Sequence, residues 1–89
     1  MRRKISIFGA TGSIGQSTLD LIGRAPEDYD VVALTGGGNV AQLAADALKF
    51  GADVAVIADE ACLPELRAAL AGSQTEATAG QAALLEAAT

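Results

Sequence analysis

The chain has no histidine and no tryptophan, and its one cysteine is Cys62. Without histidine, the usual zinc ligand and the usual base for a serine or cysteine nucleophile are both missing. A lone cysteine excludes an internal disulfide, so Cys62 is expected to be a small core residue. Aromatic residues are nearly absent too, being limited to Phe8, Tyr29 and Phe50, so no stacking platform for bases can be assembled. Positive charge is scarce: 6 Lys and Arg against 11 Asp and Glu leave a net charge of −5. That balance argues against nucleic acid or an anionic membrane surface as a partner. No apolar run reads as a membrane span. Arg2-Arg3-Lys4 is followed by a strand too short for the core of a signal peptide, and reads as charge flanking an aggregation-prone strand.

What the chain does have is small side chains and glycine. Its 89 residues are enough for one small domain, burying about 60% of the unfolded chain's surface. Half the residues are hydrophobic and alanine supplies much of that count, which suits close packing of helices on a sheet. The most informative segment is Gly9-Ala10-Thr11-Gly12-Ser13-Ile14-Gly15, directly after the strand-like run Lys4-Ile5-Ser6-Ile7-Phe8 and directly before a helical pattern. A strand that reverses into a helix beside a dinucleotide pyrophosphate needs bare backbone. Gly9 is assigned to the turn, Gly12 to the close approach of phosphate, and Gly15 to close packing of helix on sheet. The spacing G-x-x-G-x-x-G also sets the hydroxyls of Thr11 and Ser13 in the turn, where they can donate to phosphate oxygens. A βα turn that only packs closely, with no ligand, is the bland alternative.

The rest of the chain alternates strand and helix. Ile14, Thr18, Leu21 and Ile22 are expected to form the buried stripe of a first helix ending near Arg24, before Pro26. Tyr29-Asp30-Val31-Val32-Ala33-Leu34 predicts a second strand, ended by Thr35 and the glycines Gly36, Gly37 and Gly38. A second helix starts at Asn39 as N-cap, buries Val40, Leu43, Ala44 and Ala47, and stops at Gly51. Val54-Ala55-Val56-Ile57 is a third strand, continuously apolar as in a parallel sheet. A third helix follows, with Leu63, Leu66 and Leu70 on one face and Pro64 in its first turn. Thr75-Glu76-Ala77-Thr78 predicts a short fourth strand, and residues 81–88 the start of a fourth helix without a C-cap. The fold class is therefore α/β: a Rossmann-like parallel sheet with helices on both faces, expected to break off before the sheet is complete.

At the end of the second strand, NAD-preferring sites place an acid that accepts from the ribose 2′-hydroxyl. Leu34-Thr35-Gly36-Gly37-Gly38-Asn39 contains none, so a 2′-phosphate meets no repulsion and NADP is permitted. Asn39, at a helix N-terminus, can hydrogen-bond such a phosphate or can serve as an ordinary N-cap.

The run Gly9 to Gly15 followed by Gln16-Ser17-Thr18-Leu19-Asp20, then Val31-Val32-Ala33-Leu34 and Gly37-Gly38-Asn39-Val40, resembles the amino-terminal NADPH-binding domain of the 1-deoxy-D-xylulose 5-phosphate reductoisomerase family. The resemblance spans essentially the whole chain, residues 1–89. It implies a cytoplasmic bacterial oxidoreductase of non-mevalonate isoprenoid biosynthesis that uses NADPH to convert 1-deoxy-D-xylulose 5-phosphate to 2-C-methyl-D-erythritol 4-phosphate. It also implies a divalent metal, manganese or magnesium, that holds the phosphosugar, and a homodimer at full length. Carried over, the cofactor contacts are Thr11, Gly12, Ser13 and Ile14 at the pyrophosphate and Gly37 and Asn39 near the adenosine ribose. Gly38 departs from the pattern, standing where many members carry a basic residue.

The family's metal-binding acids and substrate-phosphate clamp belong beyond position 89, so no catalytic residue and no metal ligand is assigned here. The chain is expected to be inactive alone, as the incomplete cofactor domain of a longer polypeptide. Asp20, Asp59 and Glu60 are assigned solvated structural roles. Two other classes fit the glycine turn: the cofactor domain of another NADP-dependent oxidoreductase of semialdehyde dehydrogenase type, which a downstream Cys/His pair would reveal, and a stand-alone nucleotide-binding module, which a proper C-terminal cap would favour.

Overall fold

The computed structural model describes residues 3–9 and 12–80. Strand and helix alternate as β1 (Arg3–Ile7), α1 (Ser13–Gly23), β2 (Tyr29–Gly36), α2 (Val40–Phe50), β3 (Val54–Ile57), α3 (Leu63–Ala69) and β4 (Glu76–Ala79). Short 3-10 turns, Pro26–Asp28 and Glu60–Cys62, precede β2 and α3. All the strands are parallel, and their spatial order β1-β2-β3-β4 follows the chain.

That monotonic order has a physical consequence. Right-handed crossovers that always step in the same direction carry every connecting helix over the same face. The core agrees: Ile7, Leu34, Ala55 and Ile57 of the sheet pack with Leu19 and Ile22 of α1, Leu43 and Ala47 of α2, and Leu66 with the adjoining Leu70 at the end of α3. Ala33 and Val56, each only 1% exposed, lie outside that cluster, as strand alternation requires of residues on the opposite face. Among the described residues, then, α1 to α3 cover one face; the fourth helix expected over 81–88 falls outside them.

Strand β2 needs a correction to its pleat to serve this core. Val31 and Leu34 both belong to the apolar cluster although strict alternation would set them on opposite faces. The register shift resolves this: Ile5 sits opposite Val31 and Ser6 opposite Ala33, so Val32 has no partner in β1. One extra residue in β2 turns Leu34 back towards the helices.

Helix α2 forms as its sequence dictates. The Asn39 side chain accepts the Gln42 N–H at 3.2 Å, and Gly51 ends the helix in the left-handed region at φ 63°. Full burial of Leu43 contributes about 1.5–3 kcal/mol. Helix α3 starts with Pro64 in its first turn and buries Leu66, as expected, and β4 lies one residue later than the sequence suggests.

Helix α1 departs from expectation. Its buried stripe is Gly15, Leu19 and Ile22, while Leu21 is 64% exposed. Gly15 faces inward and offers no apolar side chain to mark the face, so the neighbouring stripe through Thr18 and Leu21 looked equally good. Strand β2 also runs on through Thr35 and Gly36, which pair with Val56 and Ile57 of β3; the sequence had them as its terminator.

Candidate functional site

Parallel neighbours β1 and β2 deliver their carboxyl ends side by side, and the residues singled out in the sequence gather there. After β1, Gly9 adopts φ 69°, a left-handed conformation that glycine takes without strain. Its carbonyl accepts the Gly12 N–H at 3.0 Å, and the Gly12 carbonyl accepts the Gln16 N–H at 2.9 Å. Gly12 is thus the N-cap of α1, in an extended conformation.

Among the described residues no side chain caps this helix, and its first turn carries no acid. The leading N–H groups therefore combine orphan donors with the positive end of the helix dipole, which suits an anion. Among the described residues, nothing internal requires glycine at position 12. A Cβ there would meet only the Gly9 carbonyl oxygen, at 3.4 Å, and the φ of −81° suits any residue. The missing side chain leaves room on the outer side, where Ile7, Phe8, Gly9, Gly12, Ser13, Gly15 and Thr18 line an open depression of about 440 Å³. Ser13 is exposed at the first position of α1, and Ile14 follows it in that first turn. Thr11 lies outside the described residues.

Beyond β2, Gly37 and Gly38 are exposed and a Cβ on either would meet nothing. Asn39 spends its Oδ1 on the α2 cap, which leaves the donors of its amide NH2 for a ligand. No acid lies between Leu34 and Asn39.

Two supporting contacts had escaped the sequence. The Gly9 N–H donates to Thr35 Oγ1 at 2.8 Å, tying the end of β2 to the glycine turn. Asp46, only 7% exposed, accepts from Gln16 Nε2 at 2.7 Å and from Gln42 Nε2 at 3.1 Å. This carboxylate joins the first turn of α1 to the body of α2. The i, i+4 spacing of Gln42 and Asp46 was visible; the partner from α1 was not.

The remaining acids stand apart. Asp20 pairs with Arg24 at 3.1 Å on the exposed side of α1. Asp59 accepts the Ala61 N–H at 3.0 Å, capping the turn that leads into α3, and Glu60 is exposed beside it. Cys62 packs partly buried against the core, and its thiol faces Asp59 Oδ2 at 3.7 Å. Desolvation and the adjacent Asp59 carboxylate raise its pKa above the ordinary thiol value. Among the described residues, no three His, Cys, Asp or Glu side chains cluster as metal ligands, and no helix is long and apolar enough to cross a membrane.

A parallel sheet whose first strand turns through bare glycine backbone into an uncapped helix defines a Rossmann-like α/β domain. The family model for 1-deoxy-D-xylulose 5-phosphate reductoisomerase matches residues 5–89, and the chain belongs to that family. The reductoisomerase of Jannaschia sp. (strain CCS1) is 70% identical over 87 residues, covering 98% of this chain and 22% of the relative. That of Ruegeria sp. (strain TM1040) is 70% identical over 86 residues, with 97% and 22% covered. The chain thus spans about a fifth of the length of these relatives. Among solved structures, the Zymomonas mobilis reductoisomerase in complex with NADPH superimposes with a TM-score of 0.98 at 52% identity, over 99% of this chain and 23% of that one. A reductoisomerase in complex with NADPH, fosmidomycin and magnesium gives 0.91 at 35% identity, over 97% and 21%.

Proposed function

We propose that residues 1–89 form the NADPH-binding portion of a 1-deoxy-D-xylulose 5-phosphate reductoisomerase. In this reading the pyrophosphate lies on Thr11, Gly12, Ser13 and Ile14, with the adenosine ribose near Gly37 and Asn39. The observation that carries it is the uncapped glycine start of α1, in a chain that superimposes so closely on a relative solved with NADPH. The orphan N–H groups hold the pyrophosphate, the absent side chain of Gly12 lets it approach, and the acid-free glycine run tolerates a 2′-phosphate. NADPH supplies the hydride for reduction when bound, and these residues orient it.

The conversion of 1-deoxy-D-xylulose 5-phosphate to 2-C-methyl-D-erythritol 4-phosphate, the manganese or magnesium ion and the phosphosugar site belong to the rest of the polypeptide. The described residues offer no ligand set for that metal. The full-length protein is proposed to be a cytoplasmic homodimer whose partners are small molecules. Titration of the full-length protein with NADPH tests the cofactor assignment: saturable binding that weakens on Gly12→Val, in a variant that remains folded, supports it, and unchanged affinity refutes it. Residues 1–89 alone, given NADPH, manganese or magnesium and 1-deoxy-D-xylulose 5-phosphate, should oxidise no NADPH above a protein-free control.

A further inference from the structure

We infer that Thr35 is a positioning residue for the cofactor turn: its hydroxyl holds Gly9 in the conformation that aims the start of α1 at the pyrophosphate. This inference rests on the NADPH reading above. Backbone pairing between β1 and β2 ends at Ile7 and Leu34. Past that point β1 must leave the sheet and reverse, and the Gly9 N–H needs an acceptor other than a ladder carbonyl. The neighbouring Gly36 carbonyl is engaged on the other side of β2, where it accepts the Ala58 N–H at 2.8 Å. The Thr35 side chain fills the place, accepting from Gly9 at 2.8 Å across 26 positions of chain.

From there the hydrogen bonds run in series. Gly9 N–H meets Thr35 Oγ1, Gly12 N–H meets the Gly9 carbonyl, and Gln16 N–H meets the Gly12 carbonyl. The direction of the first α1 donors is thereby referred back to β2, in the middle of the sheet. Threonine suits this position: its β-branch restricts χ1, it is only 4% exposed, and its pairing with Val56 keeps its backbone in the β2–β3 ladder. Valine has nearly the same shape and no acceptor; serine keeps the acceptor and lacks the branch.

The test uses the full-length protein with Thr35→Val and Thr35→Ser, and measures the Kd for NADPH and for NADH together with the melting temperature. Loss of the acceptor should weaken NADPH by about tenfold, the order expected when a partly buried donor loses its partner. Both dinucleotides share the pyrophosphate, so NADH should weaken by the same factor and the preference between them should stay put. The KM for the phosphosugar should not move at saturating NADPH, and Thr35→Ser should bind within about threefold of the parent protein. Thr35→Ala reads the same quantity if the valine variant does not fold. A parent protein that binds NADPH, beside folded valine or alanine variants that bind it equally well, overturns this inference and leaves the proposed function standing. A parent protein that does not bind NADPH overturns the proposed function itself. Amide hydrogen exchange at Gly9 without cofactor provides an independent arm: it should accelerate in Thr35→Val while β3 amides keep their protection, and unchanged exchange at Gly9 contradicts the inference.

Discussion

Two helix starts lie at the same end of this sheet and are built in opposite ways. After β3, Asp59 caps its own turn by accepting the Ala61 N–H, and Glu60 adds a second negative charge. After β1, Gly12 caps α1 with backbone alone, and no acid enters the first turn. Both junctions follow a parallel strand, so the sheet imposes the same problem of orphan N–H groups on each. The chain solves it internally at one and leaves it open at the other. The charges of Asp59 and Glu60 would repel an anion from the one junction, whereas the other carries no such charge and opens into α1 without an intervening 3-10 turn.

The largest effect is expected when the Gly12 junction is made to resemble the Asp59 junction. Gly12→Asp should supply the cap that α1 lacks, raising stability by a few tenths of a kcal/mol at most. The same change places a carboxylate where the pyrophosphate approaches, and should cost NADPH binding at least about 1.5–3 kcal/mol, the worth of one charge-assisted hydrogen bond, with repulsion added. Binding and stability should thus move in opposite directions, as calorimetric titration and thermal melting of the full-length variant would record. Gly12→Val is the uncharged control: binding falls, and melting falls slightly because valine is a poorer N-cap than glycine.

A smaller effect sharpens the second part of the site. Gly38 faces open space, and Gly38→Arg offers a guanidinium that can pair bidentately with a 2′-phosphate. The gain for NADPH over NADH should be about 1–2 kcal/mol, limited by exposure and salt screening. A ratio of affinities that stays fixed would make the glycine run a simple connection. Asn39→Ala removes the α2 cap and should lower stability by about 1 kcal/mol; Asn39→Asp should keep the cap while disfavouring NADPH relative to NADH.

The smallest expected change lies at the closed junction. The Cys62 thiol is held above its ordinary pKa by desolvation and then by Asp59, so little thiolate forms near neutral pH. Asp59→Asn removes the charge, lowers that pKa and should modestly speed alkylation by iodoacetamide at a fixed pH. Equal rates would mean that the carboxylate does not act on the thiol.

These differences also explain what could be read from the chain. Asn39 and Gly51 announced the ends of α2 because each residue's local chemistry is sufficient for its role. The glycines at 9 and 12 announced the turn for the same reason. The α1 stripe did not, because the inward position nearest the turn is Gly15, which has no side chain to count, and Leu19 and Leu21 compete on equal terms until the sheet decides between them. Thr35 and Asp46 were unreadable for a different reason. Their partners, Gly9 and Gln16, are 26 and 30 positions away, and a hydroxyl after a strand or a carboxylate in a helix has no periodic signature of a distant donor.

On the proposed function, the open start of α1, and not the closed start at Asp59, receives the cofactor. Amide hydrogen exchange of the full-length protein with and without NADPH tests it most directly. Strong added protection is expected at Gly12, Ser13 and Ile14, and little change at Glu60, Ala61 and Cys62. Equal protection at the two junctions, or none at the first, would contradict it.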